Sequence, residues 1–335
     1  MVIQLGEEPL ARRARLSTLF DWTILEQVER LSSKTSLPRR SIQGSPCIAV
    51  AFADWKSKRV PTSRFELVRR AIDNGILEIE QLPQALHIGG EMRQRQAFHG
   101  DLLVTIGGGP GVEQLAVFYR AMHKPVIPLD LPLKPKRKSA SERLNAEALE
   151  KPSRYLEFEP PKQATGALSN LSIKRRPSVD DFAKRFLNFV TRLRPPQVFL
   201  ARLLNRKVRS YRRVATFFEQ VVAPTMAEAG FSIFDSGRDA SEEPFLNVEI
   251  FKTIEASSIV IVDLTELRPN CLFELGFAIG LRKKVIITAA RDTMLPFDTE
   301  AFPCHFWSPK NLDIEKGRTD LRDFMSRNLN RRTID

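Results

Sequence analysis

Short apolar runs alternate with amphipathic stretches along both halves of the chain. The runs have the length and the β-branched content of buried strands, and the stretches between them have helical periodicity. The runs that we predict as strands are Cys47–Phe52, Leu102–Ile106, Pro125–Asp130, Gln197–Leu200, Phe231–Phe234, Ile259–Val262 and Val285–Thr288. Strands and helices in alternation predict an α/β protein with parallel sheets.

The distribution of these elements predicts two domains of Rossmann-like or flavodoxin-like type. We expect an N-terminal arm over residues 1–43 and a first α/β domain over 44–150. A basic, proline-containing helical connector is predicted over 151–195, and the second α/β domain over 196–335. Within the second domain, Pro224 should kink a long helix, because proline has no N–H to donate.

One predicted helix of the second domain carries a single carboxylate in an apolar surface. The helix runs from about Asn270 to Lys283, and Glu274 is the charged residue of its apolar first half. Apolar surroundings raise the pKa of a carboxyl and suit it to chemistry. With Asn270 as N-cap, Glu274 stands one position beyond a capping-box glutamate. We predict Glu274 as a catalytic residue, with a favourable interaction with the helix dipole as the structural alternative.

Asp263 ends the strand before this helix. Open α/β sheets bind ligands at the carboxyl ends of their strands, so we expect Asp263 to face the same crevice as Glu274. A strand-terminating turn, in which the carboxylate bonds to nearby backbone, is the alternative.

A glycine loop follows the strand Leu102–Ile106 and precedes a helix. Its glycines are Gly107, Gly108, Gly109 and Gly111. Glycines let the backbone approach a phosphate, and the helix N-terminus supplies N–H groups and positive potential. The loop has neither the Gly-Lys-Ser/Thr of a P-loop nor the Gly-x-Gly-x-x-Gly spacing. We predict nucleotide or phosphate binding here, with a tight turn as the alternative.

Composition narrows the classes of partner. The net charge of +12 predicts anionic partners, although solvated loops would also explain its short basic clusters. Three distant cysteines and four scattered histidines form no disulfide or metal-ligand pattern. No signal peptide and no apolar run of membrane length is visible. We therefore expect a cytoplasmic protein with no membrane contact, no metal and no cofactor.

The first domain resembles a known family through Met92-Arg-Gln-Arg95, the stretch from Asp101 to Gly111, and Lys124-Pro-Val-Ile-Pro128. On these residues, positions 45–133 resemble the SLOG family of LOG phosphoribohydrolases and DNA-processing Rossmann proteins. The catalytic glutamate of LOG enzymes is replaced by Leu115. The resemblance implies a domain that binds a nucleotide-derived ligand without cleaving it, through its glycines and Arg95. A surface arginine is the alternative for Arg95.

The second domain carries Asp263-Leu-Thr265, Arg268-Pro-Asn270 and Glu274-Leu-Gly276, then Lys284-Val-Ile286 and Leu295-Pro-Phe-Asp298. Residues 196–310 thereby resemble TIR-like and nucleoside deoxyribosyltransferase-like proteins, whose glutamate attacks or stabilises C1′ of a ribose while the base leaves. The resemblance implies a catalytic Glu274. The substrate-binding residues that it implies are Asp263, Thr265, Asn270, Arg202 and Asp298. The loop 201–205 departs from the TIR signature.

Together, the two resemblances imply a self-associating, defence-type effector. Its first domain would sense a nucleotide-derived signal, and its second would cleave NAD, as substrate rather than cofactor, or a related nucleotide. Two alternatives stay open. One is a non-catalytic nucleotide sensor or assembly scaffold. The other, less favoured, is a nucleic-acid-binding protein, whose affinity would fall steeply with salt.

Overall fold

A computed structural model describes residues 2–3, 20–32, 48–53, 62–82, 88–131, 138–172, 178–235, 246–296, 302–308 and 312–329. These residues fall into two compact units, unit 1 up to Arg194 and unit 2 from Pro195 onward. Both units are built from helices and parallel strands, as the hydrophobic pattern predicted. None of the helices in these ranges is long and apolar enough to cross a membrane.

The described residues of unit 1 include five strands in two parallel sheets. One sheet has the order β1-β2-β3, and the other pairs β4 with β5. The elements are β1 (Val2–Ile3), α1 (Phe20–Ser32), β2 (Ile48–Ala53), α2 (Thr62–Asp73), β3 (Leu77–Leu82), α3 (Ile88–His99), β4 (Leu103–Ile106), α4 (Pro110–Ala121), β5 (Val126–Leu129), α5 (Ala140–Glu150), α6 (Ala164–Ser169) and α7 (Val179–Val190).

The segment that we predicted as a connector packs into the core of unit 1. Phe158 and Phe189 are both buried there, with ring centroids 5.1 Å apart. Tyr155 is also buried, and its carbonyl accepts a hydrogen bond from the N–H of Val126 at the start of β5. Exposed lysines and arginines, such as Lys151 and Arg154, gave the segment a linker-like composition. Its aromatic residues are buried in the core of unit 1.

Unit 2 is built on one five-stranded parallel sheet of order β7-β6-β8-β9-β10. Numbered from the first strand of this unit, the order is 2-1-3-4-5, which is the flavodoxin-like arrangement. The elements are β6 (Gln197–Ala201), α8 (Tyr211–Phe217), a π-helical turn (Phe218–Val222), α9 (Ala223–Glu228), β7 (Ser232–Asp235), α10 (Leu246–Ala256), β8 (Ile259–Asp263), α11 (Pro269–Gly280), β9 (Lys284–Ala290), β10 (Cys304–Trp307) and α12 (Ile314–Asn328).

Each face of this sheet is covered by its own helices, because alternate side chains of a strand point to opposite faces. On one face, which we call the α12 face, Ile259 and Ile261 pack against α8, α9 and α12. On the other, the α11 face, Val260 and Val262 pack against α10 and α11. The sheet is therefore buried on both faces. Sheets of this kind bind ligands at the carboxyl ends of their strands.

The predicted kink at Pro224 takes the form of a change in helix type. The helix is α-helical to Phe217 and becomes π-helical over the five residues that precede α9. Pro224 has no N–H to donate to the carbonyl of Gln220, and Arg318 Nε of α12 donates to that carbonyl at 3.0 Å instead. This hydrogen bond joins α12 to the helix next to the proline.

Candidate functional site

Two loops of unit 2 diverge at the carboxyl end of the sheet. The chain leaves β6 towards α8 on the α12 face, whereas it leaves β8 towards α11 on the α11 face. Strands β6 and β8 are hydrogen-bonded neighbours, with Ala201 opposite Val262. This divergence is the topological switch point of a doubly wound sheet, where a crevice for ligands forms. Residues 202–210 follow β6 and residues 264–274 follow β8, so these two segments flank the switch point.

Glu274 lies on the buried side of α11. Its neighbours Cys271, Leu275 and Ala278 pack on the sheet, and Glu274 itself is 9% exposed. Burial raises the pKa of its carboxyl to about 7. In the part of the chain that the structure describes, no group donates a hydrogen bond to this carboxyl. Such a group is desolvated without a compensating contact, so its ionised form is destabilising in the folded chain.

The start of α11 differs from our prediction. The N-cap is Arg268, with extended backbone and no side-chain hydrogen bond, and Pro269 begins the helix. Proline is favoured at the first helical position because its φ is already helical and its missing N–H would be unpaired there anyway. Asn270 therefore lies inside the first turn, where it is exposed, and is not the N-cap. Glu274 is a full turn further along and cannot form a capping box.

Asp263 is buried at the end of β8 and bound by three donors. Its carboxylate accepts hydrogen bonds from the Thr265 N–H at 3.1 Å, the Thr288 hydroxyl at 3.0 Å and Trp307 Nε1 at 3.3 Å. Burial raises the pKa of Asp263, and these hydrogen bonds act in the opposite direction. These are the contacts of the strand-terminating alternative, extended across β9 and β10. A role of Asp263 in substrate binding stays a prediction.

Thr265 also connects β8 to β9. Its hydroxyl accepts a hydrogen bond from the Ala290 N–H at 3.0 Å, and its carbonyl accepts one from the Thr293 hydroxyl at 3.3 Å. The Thr265 side chain thus links the end of β8 to the end of β9. Asp298, the remaining predicted substrate-binding carboxylate, lies outside the residues that the structure describes.

Arg202 follows directly after β6 and is 5% exposed. Its guanidinium grips Asp235 at the end of β7, with Nε 3.1 Å from Oδ1 and Nη2 2.8 Å from Oδ2. The third nitrogen, Nη1, is buried without a hydrogen-bond partner. A buried charged donor left unpaired is costly, so this atom marks a place where an acceptor would be stabilised. Asp235 was not predicted from the sequence.

A cleft of about 710 Å³ lies between the segment that follows β9 and one side of β10. Neither Glu274 nor Arg202 lines it. The lining residues are Arg291, Asp292, Thr293, Met294, Leu295, Phe302, Cys304 and Phe306.

In unit 1, the glycine loop joins β4 to α4. Gly107 and Gly108 have φ of 62° and 80°, in the left-handed region that favours glycine. Their carbonyls accept hydrogen bonds from the N–H groups of Ser141 and Ala140 in the first turn of α5. Gly109 caps α4, and a Cβ built on it meets no atom within 4 Å. The tight-turn alternative thus accounts for the first two glycines, whereas it does not require Gly109.

A second arginine of the predicted motif lies beside this loop, and binding of a nucleotide by Arg95 stays a prediction. Arg95 pairs with Glu91 along α3, at 3.7 Å. Arg93 instead lies against the start of α4, because a Cβ on Gly111 would stand 3.2 Å from its Nη1. Its Nε donates to Gln114 Oε1 at 2.7 Å. Both arginines fall in the same predicted motif, and only the packing of α3 against α4 distinguishes them.

The fold defines an α/β protein with parallel sheets, and unit 2 has a topological switch point between β6 and β8. Residues 1–190 match the family model "ATP nucleosidase Cap17-like, N-terminal". The match covers more than half of the chain, and the chain belongs to this family.

Individual proteins that match the chain share low sequence identity with it. ATP nucleosidase Cap17 of Escherichia coli, from strain KTE188 and from a second source, is 23% identical over 307 residues, which are 86% of this chain and 58% of the relative. The chain thus spans less than two thirds of the length of these curated relatives. A solved structure of the Clostridium botulinum CMP N-glycosidase BcmB aligns with 37% of this chain and 98% of its own, at 18% identity and a TM-score of 0.28, too low to carry a structural argument.

Proposed function

We propose that unit 2 cleaves the N-glycosidic bond of a nucleotide, with Glu274 as the catalytic carboxylate. The observation that carries this proposal is a buried carboxyl with a pKa raised to about 7 and no hydrogen-bond donor among the described residues, on the helix that borders the crevice. Perturbed carboxyls in such places are candidates for catalysis. The family model matches unit 1 alone. The alignment with ATP nucleosidase Cap17, which covers 86% of this chain, supports a nucleosidase reaction.

The chemistry requires a negative charge beneath the sugar. The bond between C1′ and the base nitrogen breaks, its electron pair leaves with the base, and C1′ becomes oxocarbenium-like. Ionised Glu274 either captures C1′ covalently or stabilises its charge. Water then supplies a hydroxyl to C1′ and a proton to balance the departing base. A buried carboxylate acts more strongly here than an exposed one, because the surroundings are less polar.

Two nucleotides are the first candidate substrates. ATP is suggested by the name of the E. coli relatives, ATP nucleosidase Cap17, and NAD by the TIR-like resemblance. Both contain a ribose joined to a base through nitrogen, so the same carboxylate could serve either. Depletion of such a nucleotide would give the defence-type activity expected from the sequence.

The test is chromatographic detection of free base. Wild-type chain is incubated with ATP, NAD, CMP and adenosine, and adenine, nicotinamide or cytosine is quantified. Glu274→Gln keeps the shape of the side chain and removes its charge, and Glu255→Gln, an exposed glutamate of α10, is the matched control. We expect base release by wild type and Glu255→Gln, and a loss of more than about a thousandfold in Glu274→Gln.

Equal turnover in all three proteins would move the chemistry away from Glu274. No turnover, with or without added nucleotide signals, would favour the non-catalytic sensor or scaffold. Binding of nucleic acid with a steep salt dependence would favour the third function.

For unit 1, we propose that the glycine loop binds a nucleotide-derived signal. Gly109 leaves open space at the start of α4, and the Arg93 guanidinium lies against the same turn. Both features suit a phosphate, because the N–H groups of a helix start and an arginine attract the same anion. Stimulation of base release by a nucleotide that is not itself cleaved would support this role.

A further inference from the structure

We propose that the cleft beside β10 binds a small organic anion whose body is planar and mainly apolar. The cleft belongs to unit 2, and neither Glu274 nor Arg202 lines it. Its volume of about 710 Å³ falls within the ordinary range for sites that take a drug-sized molecule. The inference adds a binding site to unit 2 and does not rest on the proposed function.

Apolar side chains form most of the cleft. Leu295, Phe302 and Cys304 belong to the hydrophobic cluster on the α11 face of the sheet. Phe306 lies two positions after Cys304 on β10 and therefore points to the same face. Its side chain is 41% exposed, and Met294, on the wall formed by the segment after β9, is 87% exposed. An apolar ligand body would cover both of these large side chains.

One cation stands among these apolar side chains. Arg291 directly follows β9 and also lines the cleft. It is exposed, and no carboxylate of the described residues forms an ion pair with it. The carboxylate of the cleft, Asp292, lies 3.0 Å from Arg213 of α8 and is already paired. An anionic group on the ligand would form charge-assisted hydrogen bonds with Arg291.

Hydrogen bonds hold the walls in place before a ligand binds. The Arg291 N–H donates to the Trp307 carbonyl at 2.9 Å, which joins the segment after β9 to β10. The Thr293 hydroxyl donates to the Thr265 carbonyl at 3.3 Å, which joins the same segment to the end of β8. A site that is ordered in advance loses less free energy on binding, so a small ligand suffices to occupy it.

Two kinds of molecule share the chemistry that the cleft would take. The rings of Phe302 and Phe306 and the thioether of Met294 favour a planar ring, because aromatic and sulfur groups both make favourable contacts with rings. Arg291 supplies the charge that favours an anion. Nucleoside monophosphates and aromatic carboxylic acids both combine a planar ring with an anionic group.

The experiment uses two fluorescent probes that differ in one charge. Anilinonaphthalene sulfonate has the planar body and an anionic group, and phenylnaphthylamine has the same body without the sulfonate. Each probe is titrated into the wild-type chain, and calorimetry gives the stoichiometry of the anionic probe. We expect one site per chain, at which the uncharged probe binds about tenfold more weakly because it lacks the charge-assisted contact.

Variants of the cleft assign this difference to residues. Arg291→Gln should weaken the anionic probe by about tenfold and leave the uncharged probe unchanged, because it removes the charge alone. Phe306→Ala should weaken both probes, because it removes apolar area from one wall. Arg327→Gln on α12 and Phe273→Ala on α11 replace exposed residues that do not line the cleft. These matched controls should bind both probes as the wild type does.

Competition against the anionic probe distinguishes the two sources of ligand. Displacement by naphthoate alone would assign the cleft to aromatic carboxylic acids, and displacement by AMP would assign it to nucleoside monophosphates. Displacement by neither compound would overturn the inference, because both carry the chemistry that the cleft is proposed to bind.

Three further results would also overturn the site. They are binding that does not saturate, an anionic probe that Arg291→Gln binds as the wild type does, and a loss in Phe273→Ala as large as that in Phe306→Ala. The Glu274→Gln chain should bind both probes normally, and loss of the probe there would place it at the catalytic carboxyl instead of the cleft. Base release by a wild-type chain that binds no probe would leave the proposed function standing and remove only this site.

Discussion

The indole of Trp307 donates a hydrogen bond from Nε1 to Oδ2 of Asp263, which also accepts one from the Thr288 hydroxyl. This contact links the carboxyl end of β8 to β10, two strands away in the sheet. The Asp263 carboxylate therefore joins the carboxyl ends of β8, β9 and β10.

We expect Asp263→Ala to lower the free energy of unfolding by about 3 kcal/mol, since it leaves buried donors unpaired. Urea unfolding measures the change, with Asp323→Ala, an exposed residue of α12, as control. Unchanged stability together with lost base release would return Asp263 to a direct role in substrate binding.

Glu274 should oppose stability at neutral and alkaline pH. Its folded pKa of about 7 exceeds the ordinary 4.5, so the folded chain holds the proton more tightly than the unfolded chain does. Stability is then lost as the pH rises from about 4.5 to 7, by roughly 3 kcal/mol in total. Glu274→Gln should be more stable than wild type at pH 8 and similar to it near pH 4.5.

Urea unfolding at the two pH values tests this prediction, with Asp323→Asn, an exposed carboxylate of α12, as the control. A stabilisation of Glu274→Gln that is the same at both pH values would mean that the carboxyl is not desolvated as the structure has it.

Base release should depend on the ionisation of the same carboxyl. If Glu274 attacks or stabilises C1′ as a carboxylate, kcat/KM rises about tenfold per pH unit below a pKa near 7 and levels off above it. The profile is measured from pH 5.5 to 9 on the substrate found in the base-release assay. A rate that falls through pH 7 would instead make Glu274 a proton donor to the leaving base.

The glycine loop offers a matched pair of substitutions. Gly108→Ala combines φ of 80° with a Cβ only 2.4 Å from Val112 Cγ2, so we expect a loss of about 2 kcal/mol in the stability of unit 1. Gly109→Ala meets no atom within 4 Å and should be nearly neutral for folding. Thermal unfolding compares the two.

If the loop binds a phosphate, Gly109→Ala should weaken binding of the signalling nucleotide, measured on the Glu274→Gln background. Normal ligand affinity in Gly109→Ala would leave the loop with a structural role only.

Local patterns in the sequence were enough to find most elements. The strand that ends at Asp263 and the helix that carries Glu274 both follow from apolar periodicity, a property of neighbouring residues. The packing of residues 151–195 could not be predicted from composition, because exposed cations dominate it whereas Phe158 and Phe189 pair across 31 positions of sequence. The N-cap at Arg268 was not predicted, because the preference of Pro269 for the first helical position outweighs the capping preference of Asn270.

The sequence by itself determined the α/β class and singled out Glu274, because an isolated charge in an apolar helix is visible in one dimension. Only the tertiary structure decided what the other polar residues contact. In the folded chain Asp263 accepts hydrogen bonds from Trp307 and Thr288. Arg202 pairs with Asp235, and Arg93 lies against the start of the helix after the glycine loop. Hydrogen bonds and ion pairs form between groups that strand order and helix packing bring together. The spacing of residues in the sequence does not specify strand order or helix packing.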